Sequence, residues 1–168
     1  MKDDHVALAV TGLAWMKGRA ASIDRVLSEM LLRCRQELLI VSYSFTEGAE
    51  EFLTMLEDRL RDGIRVKVVI NRLSRQPPVV ISRLTALLAA YPRQVELFDF
   101  SHPDTELHAK VVVSDRREAL VGSANLSYRG LVRNYELAVR IEGATAVATA
   151  RAIDALVSSQ AVHRISVD

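Results

Sequence analysis

Cysteine, aromatic residues and long apolar runs are all scarce in this sequence. Cys34 is the only cysteine in 168 residues, which excludes an intrachain disulfide, a CxxC redox motif and a cysteine-rich zinc site. Aromatic residues make up 5% of the chain and form no obvious stacking platform, so sequence-specific reading of bases is not indicated. No apolar run approaches the roughly eighteen residues that span a bilayer. We therefore expect a cytoplasmic protein that has no membrane partner.

The apolar segment at residues 6–16 does not have the pattern of a secretory signal. Asp3 and Asp4 precede it, whereas a signal peptide begins with basic residues. We interpret this segment as a first helix or strand that provides an assembly surface.

Net charge is also nearly absent, at +1 from 22 basic and 21 acidic residues. This balance excludes a protein that attracts polyanions over its whole surface. Eighteen of the basic residues are arginine, which favours forked recognition of phosphate or carboxylate, although genomic base composition alone produces the same bias. Residues 108–140 hold six bases against three acids. Together with Arg72 and Arg75 they predict a locally positive site entrance on a neutral protein.

The apolar patterns predict a single α/β domain over residues 1–168, long enough to bury a core without a metal or a disulfide. Helical spacing predicts helices over 22–36, with Ser22 as N-cap, over 49–60, closed by Gly63, and over 80–91 and 147–157. Strands are predicted at 38–45, 64–70, 95–98, 107–114, 119–122 and 134–141. Because helices alternate with strands in the first half, we expect a mixed, largely parallel sheet with helices on both faces.

The stretch at residues 108–125 carries the chemistry and reads H-x-K-x4-D-x6-G-S-x-N. Side chains alternate along a strand, so His108 and Lys110 are predicted to share a face while residues 107, 109, 111 and 113 face the core. An imidazole beside a fixed ammonium suits attack on a phosphodiester. Ser123 and Asn125 are two residues apart, as His108 and Lys110 are, and add hydroxyl and amide donors for phosphate oxygens.

Three further positions complete the candidate site. Gly122 permits close backbone approach. Asn134 and Glu136 are predicted to share a face of the last strand. We expect Glu136 to bond the far nitrogen of His108, which would orient the ring and stabilise the imidazolium. Asp115 lies at a strand end and faces away from His108.

These residues make the chain similar to the phospholipase D superfamily, whose HKD signature His108, Lys110 and Asp115 match, with Gly122, Ser123 and Asn125 matching its extension. The resemblance covers residues 22–157 and implies an α-β-α sandwich. It also implies that Ser42 and Ser44 support the floor of the active site and that Asp115, counted among the catalytic motif residues, mainly supports local structure.

The number of motifs separates this chain from most of that superfamily. Most members carry two HKD motifs, whereas this chain has one and no second His-x-Lys. It resembles the small single-motif bacterial endonucleases, which build one shared site across a two-fold dimer. One histidine attacks phosphorus while the other protonates the leaving oxygen, so a monomer supplies half of the pair and a symmetric dimer supplies both.

We therefore predict a metal-independent phosphodiesterase that cleaves nucleic acid, DNA in preference to RNA, through a phosphohistidine in a homodimer. No cofactor or metal is expected, since the spacing of His102, Asp104 and His108 fits no metal motif. Two alternatives stay open: hydrolysis of phospholipids, and a phosphate-binding or nucleic-acid-binding subunit of a bacterial defence or helicase-linked complex. Single or double strand, and endonuclease or exonuclease cleavage, also remain alternatives.

Overall fold

The computed structural model describes residues 4–15, 18, 20–46 and 48–167. Within these residues the chain forms one nine-stranded sheet and four α-helices. The strands are β1 (His5–Thr11), β2 (Ala21–Ser22), β3 (Glu37–Ser42), β4 (Arg65–Asn71), β5 (Val95–Phe100), β6 (Val111–Ser114), β7 (Glu118–Gly122), β8 (Glu136–Glu142) and β9 (Val162–Arg164). The helices are α1 (Ile23–Arg33), α2 (Glu50–Arg61), α3 (Pro78–Ala90) and α4 (Ala144–Val157).

All four predicted helices are present, and their ends follow local chemistry. The Ser22 side chain accepts the backbone N–H of Arg25 and so caps α1 as predicted. Gly63 follows α2 with a φ of +88°, which a glycine adopts without steric cost. The first apolar segment is a strand, β1, and its last predicted residue, Met16, lies outside the described residues.

The sheet order is β2-β1-β8-β7-β6-β3-β4-β5-β9. The α/β class, the mixed sheet and the helices on both faces are confirmed, but the expectation of a largely parallel sheet is wrong. The pairs β1–β2, β3–β4 and β4–β5 are parallel, and the other five pairs are antiparallel. Helical crossovers give the parallel pairs β3–β4 and β4–β5, whereas the short connections from β6 to β8 allow only antiparallel neighbours.

Two cores sandwich the sheet. On one face α1, α2 and α3 pack their apolar stripes, for example Leu27, Phe52 and Leu84, against inward residues such as Ile40 and Val68. On the other face α4 alone packs Ala150 and Ile153 against the sheet, together with residues such as Leu39 and Val113. The central strands are buried on both faces, which explains their continuous apolar runs.

The face covered by α4 is left open at the β1 side of the sheet. Val6 and Leu8 of β1 pair with Ile141 and Val139 of β8, and both β1 side chains are exposed. Tyr135 and Leu137 continue this surface and are also exposed, and Trp15 packs edge-on against Tyr135 with ring centroids 5.6 Å apart. We call Val6, Leu8, Trp15, Tyr135 and Leu137 the apolar face.

Candidate active site

The candidate site lies at one edge of the sheet, where β3, β4 and β7 end and β6 and β8 begin. Because β6 runs antiparallel to β3 and β7, its first residue, Val111, pairs with Val41 and Val121 near the ends of those strands. His108 and Lys110 therefore arrive at the same edge as Ser123, and Glu136 begins β8 beside them. The topology thus brings together residues from three separate segments.

His108 and Lys110 sit just before β6 rather than inside it, so the strand predicted from residue 107 begins four residues later. The Lys110 carbonyl still accepts the N–H of Gly122 at 3.2 Å. Leu107 is buried as expected, whereas Ala109 is exposed because this segment has not yet joined the sheet. The two side chains nevertheless meet, as predicted: Lys110 Nζ lies 3.3 Å from both ring nitrogens of His108.

The imidazole of His108 is exposed, and an aromatic ring packs against it. The centroid of the Tyr43 ring lies 4.6 Å from that of His108, and Lys110 Nζ lies 5.0 Å from the Tyr43 centroid. Lys110 Nζ also donates to the carbonyl oxygen of His108 at 2.8 Å. These contacts hold an imidazole and a cation side by side at the surface.

Glu136 has partners other than the one predicted for it. One of its carboxylate oxygens accepts the Ser123 hydroxyl, and the other accepts Asn134 Nδ2 at 3.1 Å. The predicted Glu136–His108 hydrogen bond is therefore not formed within this chain. The reason is local. The Ser123 N–H donates to the Leu137 carbonyl and the Leu137 N–H donates to the Ser123 hydroxyl, which places that hydroxyl next to the Glu136 carboxylate.

Lys110 is electrostatically tuned by its surroundings. Partial burial lowers the pKa of Lys110 below its usual range, and the negative charge of Glu136 opposes that shift. The nearby carboxylate therefore favours the charged form of the Lys110 ammonium.

Gly122 is needed for the approach of two strands. A Cβ at Gly122 would lie 2.5 Å from the Ala138 Cβ and 2.6 Å from the Leu137 carbonyl oxygen. The close backbone approach predicted for this glycine is therefore between β7 and β8. This approach sets the spacing between Ser123 and Glu136.

Asn125 carries a buried polar atom, its side-chain Oδ1, that the described residues leave without a hydrogen-bond partner. The turn that follows packs tightly on it, because a Cβ at Gly130 would lie 2.4 Å from the Asn125 carbonyl oxygen. Gly130 belongs to a π-helical turn, Arg129–Arg133, which leads the chain from Asn125 to Asn134 and Glu136.

Asp115 lies at the opposite end of β6 from His108. Its carboxylate accepts backbone N–H groups of Arg35, Gln36 and Glu37 at 2.7–3.0 Å. Burial raises its pKa, but these hydrogen bonds outweigh that effect and hold the pKa of Asp115 below its usual value. Asp115 therefore fastens the α1–β3 connection to the β6–β7 hairpin, and the structure places it outside the reacting group of residues.

Several smaller expectations also meet the structure here. Ser42 is fully buried and its hydroxyl donates to the Ser44 carbonyl at 3.0 Å, so both serines shape the turn after β3. Arg116, in the turn between β6 and β7, has a φ of 55° and is held by Glu37 and Asp154.

Sequence reasoning did not assign a role to Tyr43 or to Gly130. Tyr43 follows a buried strand with no motif of its own, so only the fold reveals its contact with His108. Gly130 lies five residues after the motif. A side chain at this position would clash with the backbone of Asn125, and only the fold reveals that contact.

Metal-ligating side chains do not gather in the described part of the chain, where no group of three or more His, Cys, Asp or Glu side chains is placed to hold an ion. His102, considered above with Asp104, accepts the backbone N–H of that residue at its Nδ1. No helix of the described residues is long and apolar enough to cross a bilayer.

The comparisons with known proteins agree with this arrangement. A family model described as "Cardiolipin synthase, PLD-like domain" matches residues 27–155. The DISARM protein DrmC of Bacillus paralicheniformis is 28% identical over 118 residues, 70% of this chain and 49% of DrmC. Cardiolipin synthase B of Escherichia coli K12 is 34% identical over 120 residues, 71% of this chain and 28% of the synthase. The chain thus spans half or less of the length of these curated relatives.

Solved structures share the fold over nearly the whole chain. Nuc from Salmonella typhimurium, a phospholipase D family member, aligns with a TM-score of 0.75 at 19% identity, over 98% of this chain and 100% of Nuc. NucT from Helicobacter pylori aligns with a TM-score of 0.73 at 18% identity, over 94% of this chain and 98% of NucT. Phosphatidylserine synthase from Haemophilus influenzae aligns with a TM-score of 0.75 at 17% identity, over 96% of this chain but 40% of the synthase. Since the family match covers more than half of its length, the chain belongs to the PLD-like domain family of the phospholipase D superfamily.

Proposed function

We propose that this chain is a metal-independent phosphodiesterase of the cytoplasm that cleaves nucleic acid through a phosphohistidine at His108, in an active site shared across a homodimer. One observation carries the proposal: an exposed imidazole lies in contact with the Lys110 ammonium at a sheet edge, beside the Ser123–Glu136 pair. That edge presents a nucleophile, a cation and a hydroxyl to the same region, which is the set that phosphoryl transfer needs.

The proposed reaction proceeds in two displacements. One ring nitrogen of His108 attacks phosphorus, the P–O ester bond breaks, and an imidazolium protonates the leaving oxygen. Water then attacks the phosphohistidine, the second imidazole removes its proton, and the P–N bond breaks to regenerate His108. Lys110 neutralises the charge that builds on the phosphate oxygens, which is the work that a metal ion performs in other phosphodiesterases.

The second imidazole is the reason for proposing a dimer. Among the described residues, the hydrogen-bonding and ring contacts of His108 are with Lys110 and Tyr43, and neither supplies an imidazole. A two-fold axis beside this edge would bring the partner's copy of the same residue. The apolar face reaches the same edge, because Tyr135 directly precedes Glu136, and it is the proposed contact surface.

Nucleic acid is the preferred substrate for two reasons. The fold match with Nuc and NucT covers almost all of each of those chains, whereas the match with phosphatidylserine synthase covers 40% of that chain. The site entrance is also basic, since Arg129 and Arg133 form no ion pair with the described carboxylates. A polyanionic strand suits such an entrance.

Phospholipid chemistry is the second candidate, and the relatives favour it. Cardiolipin synthase B is the relative with 34% identity, although this chain covers 28% of it. Under this alternative the apolar face would contact lipid rather than a second chain. The third candidate, a subunit that binds phosphate or nucleic acid in a larger defence complex, is favoured by the similarity to DrmC, a DISARM protein.

A substrate panel tests the proposal directly. The protein is incubated with single-stranded DNA, duplex DNA, RNA and phosphatidylglycerol vesicles, each with and without excess EDTA. We expect DNA to be cleaved in both conditions. Alkaline quenching followed by mass spectrometry should find phosphate on His108, since phosphohistidine survives base. Turnover of lipid alone, or loss of DNA cleavage in EDTA that magnesium restores, would reject the proposal.

Subunit mixing tests the shared site. Wild-type and His108→Ala chains are mixed and allowed to exchange, and activity should follow the square of the wild-type fraction if heterodimers are inactive. Sedimentation should give a species near twice 18.7 kDa. The His163→Ala variant serves as a control with full activity in every mixture. Activity in strict proportion to wild-type chains, or loss of activity in His102→Ala, would place both imidazoles in one chain and contradict the shared site.

A further inference from the structure

A second basic cleft adjoins the His108 site on the side away from Glu136. It lies between the end of β3 and the loop that follows β4, holds about 240 Å³, and is lined by residues that include Tyr43, Arg72, Arg75, Gln76 and Glu106. We call it the arginine cleft. Tyr43 lies between the arginine cleft and the His108 site. It lines the cleft, and its ring also contacts the imidazole of His108.

The walls of the arginine cleft are held by buried hydrogen bonds. Gln76 is buried, its Nε2 donates to the carbonyls of Asn71 and Tyr43, and its Oε1 accepts the N–H of Phe45. One side chain therefore ties the end of β3 to the loop after β4. Because the loop is fixed in this way, the backbone that carries Arg72 and Arg75 is positioned before any ligand arrives.

The arginines of the cleft differ from most others in the chain. Nine arginines of the described residues form ion pairs with carboxylates, whereas Arg72 and Arg75 form none with any carboxylate that the structure describes. Arg72 donates from Nη2 to the His102 carbonyl at 3.1 Å, and its buried Nε has no hydrogen-bond partner among the described residues. Glu106 is the acidic residue of the lining, and it is not within ion-pair distance of either guanidinium.

The backbone at Arg72 supports a role beyond folding. Arg72 has a φ of 48°, an uncommon backbone conformation for a residue other than glycine or asparagine. The structure keeps it there by the bond from Leu73 N–H to Asp99 at 2.6 Å and by the Gln76 contacts. Such strain persists where surrounding contacts enforce it, and it is concentrated at ligand sites.

From these observations we infer that the arginine cleft is a second phosphate subsite, which binds the phosphodiester next to the scissile one on a nucleic acid strand. The inference rests on the proposed nuclease function and extends it: the protein grips a strand at two consecutive phosphates, one at His108 and one at Arg72 and Arg75. Guanidinium forks suit a phosphodiester because two parallel N–H groups meet two oxygens. A substrate with a single phosphate group gains nothing from this subsite.

The test uses Arg75→Gln, since Arg75 is exposed and its replacement leaves the Gln76 bonds intact. Its matched control is Arg93→Gln, an exposed arginine without an ion pair on the loop before β5. The two substrates are a short oligothymidylate and bis(4-nitrophenyl) phosphate, which has one phosphodiester and no neighbour. We expect Arg75→Gln to lower kcat/KM for the oligonucleotide about tenfold, with less than a twofold change for the chromogenic diester.

Binding provides a readout that does not depend on turnover. In a His108→Ala background, the affinity for labelled oligothymidylate is measured by anisotropy over a range of salt concentrations. Adding Arg75→Gln should reduce the slope of log K against log salt by about 0.7, the value for one phosphate contact on a single strand. Arg93→Gln should leave the slope unchanged.

The possible failures are distinguishable. If the wild-type protein neither cleaves nor binds the oligonucleotide, the proposed nuclease function itself is rejected. If it does both and Arg75→Gln behaves like Arg93→Gln, the subsite is rejected while the nuclease function stands. If Arg75→Gln lowers only the turnover of phosphatidylglycerol vesicles, the cleft serves a lipid headgroup and the inference is overturned.

Discussion

The two ends of β6 carry parts of one motif and do opposite work. At the beginning of the strand, His108 and Lys110 are held by each other and by Tyr43, and the imidazole remains exposed. After the end of the strand, Asp115 is saturated by three backbone N–H groups and Arg116 by two carboxylates. His108 and Asp115 are seven positions apart, which corresponds to about 23 Å at strand spacing.

The difference shows that a short linear signature is not a list of reacting groups. The His108 end is under-satisfied and open, as a site that must bind and release substrate requires. The Asp115 end is hydrogen-bonded to three backbone N–H groups and fastens the α1–β3 connection to the β6–β7 hairpin. We therefore expect variants at the two ends to separate activity from stability.

The largest effect is expected at His108. In the proposed reaction, His108→Ala removes the nucleophile from both copies of the chain, so turnover should fall by at least about 10³-fold. The thermal midpoint should change little, because the imidazole is exposed and adds little to the core. Oligonucleotide cleavage and thermal unfolding are measured on the same preparations. A variant that loses its fold instead of its activity would break the comparison.

The next effect is expected at Asp115. Asp115→Ala leaves three backbone N–H groups without their acceptor, which should lower the free energy of unfolding by about 2–3 kcal/mol. Turnover of the folded fraction should stay within about twofold. Denaturant titration and kcat are the measurements, and Asp104→Ala is an exposed control. A loss of turnover comparable to that of His108→Ala would show that Asp115 takes part in the chemistry.

A smaller effect is expected at Glu136, in the pH dependence of the rate. The charge of Glu136 opposes the burial that lowers the pKa of Lys110. Glu136→Gln should lower that pKa further, so the alkaline limb of the pH–rate profile should move to lower pH. Glu50→Gln, exposed on α2, is the control. An alkaline limb that stays in place would show that Lys110 does not need its charge or does not sense Glu136.

The smallest effect is expected in the acid stability of the Asp115 end. The pKa of Asp115 is held below its ordinary value of 3.8. The contribution of this carboxylate to stability is therefore complete above pH 3.8 and is lost as the pH falls through the folded-state pKa. The wild-type protein should therefore lose more unfolding free energy between neutral and acidic pH than Asp115→Asn does. Urea unfolding at several pH values measures this difference. Parallel losses would mean that Asp115 titrates as it does in the unfolded chain.

Much of the fold follows from local patterns. The helical stripes and the Ser22 cap predict α1 through α4 because a helix needs only its own spacing and end groups. The short strand β9 was not predicted, because three residues give no periodicity and it forms only as an edge partner of β5. The parallel character of the sheet was overestimated for a related reason, since strand direction depends on which connections are short.

The candidate site divides in the same way. Spacing alone puts His108 beside Lys110, and the structure confirms that contact. The Ser123 and Asn134 bonds to Glu136 were not predicted, because they depend on how closely Gly122 lets β7 approach β8. Tyr43 and the arginine cleft were likewise not assigned to the site, since they come from the ends of β3 and β4.

By itself, the sequence determined the class of the fold, the helices, and the residue types of the candidate site, because periodicity and chemical identity are local properties. Only the tertiary structure decided which carboxylate lies near Lys110 and which one fastens a hairpin. It also decided that an apolar face is exposed beside the site and that Arg72 and Arg75, which form no ion pair with the described carboxylates, adjoin it. These are properties of distance between segments far apart in the chain, and distance is set by strand pairing and packing rather than by any one segment.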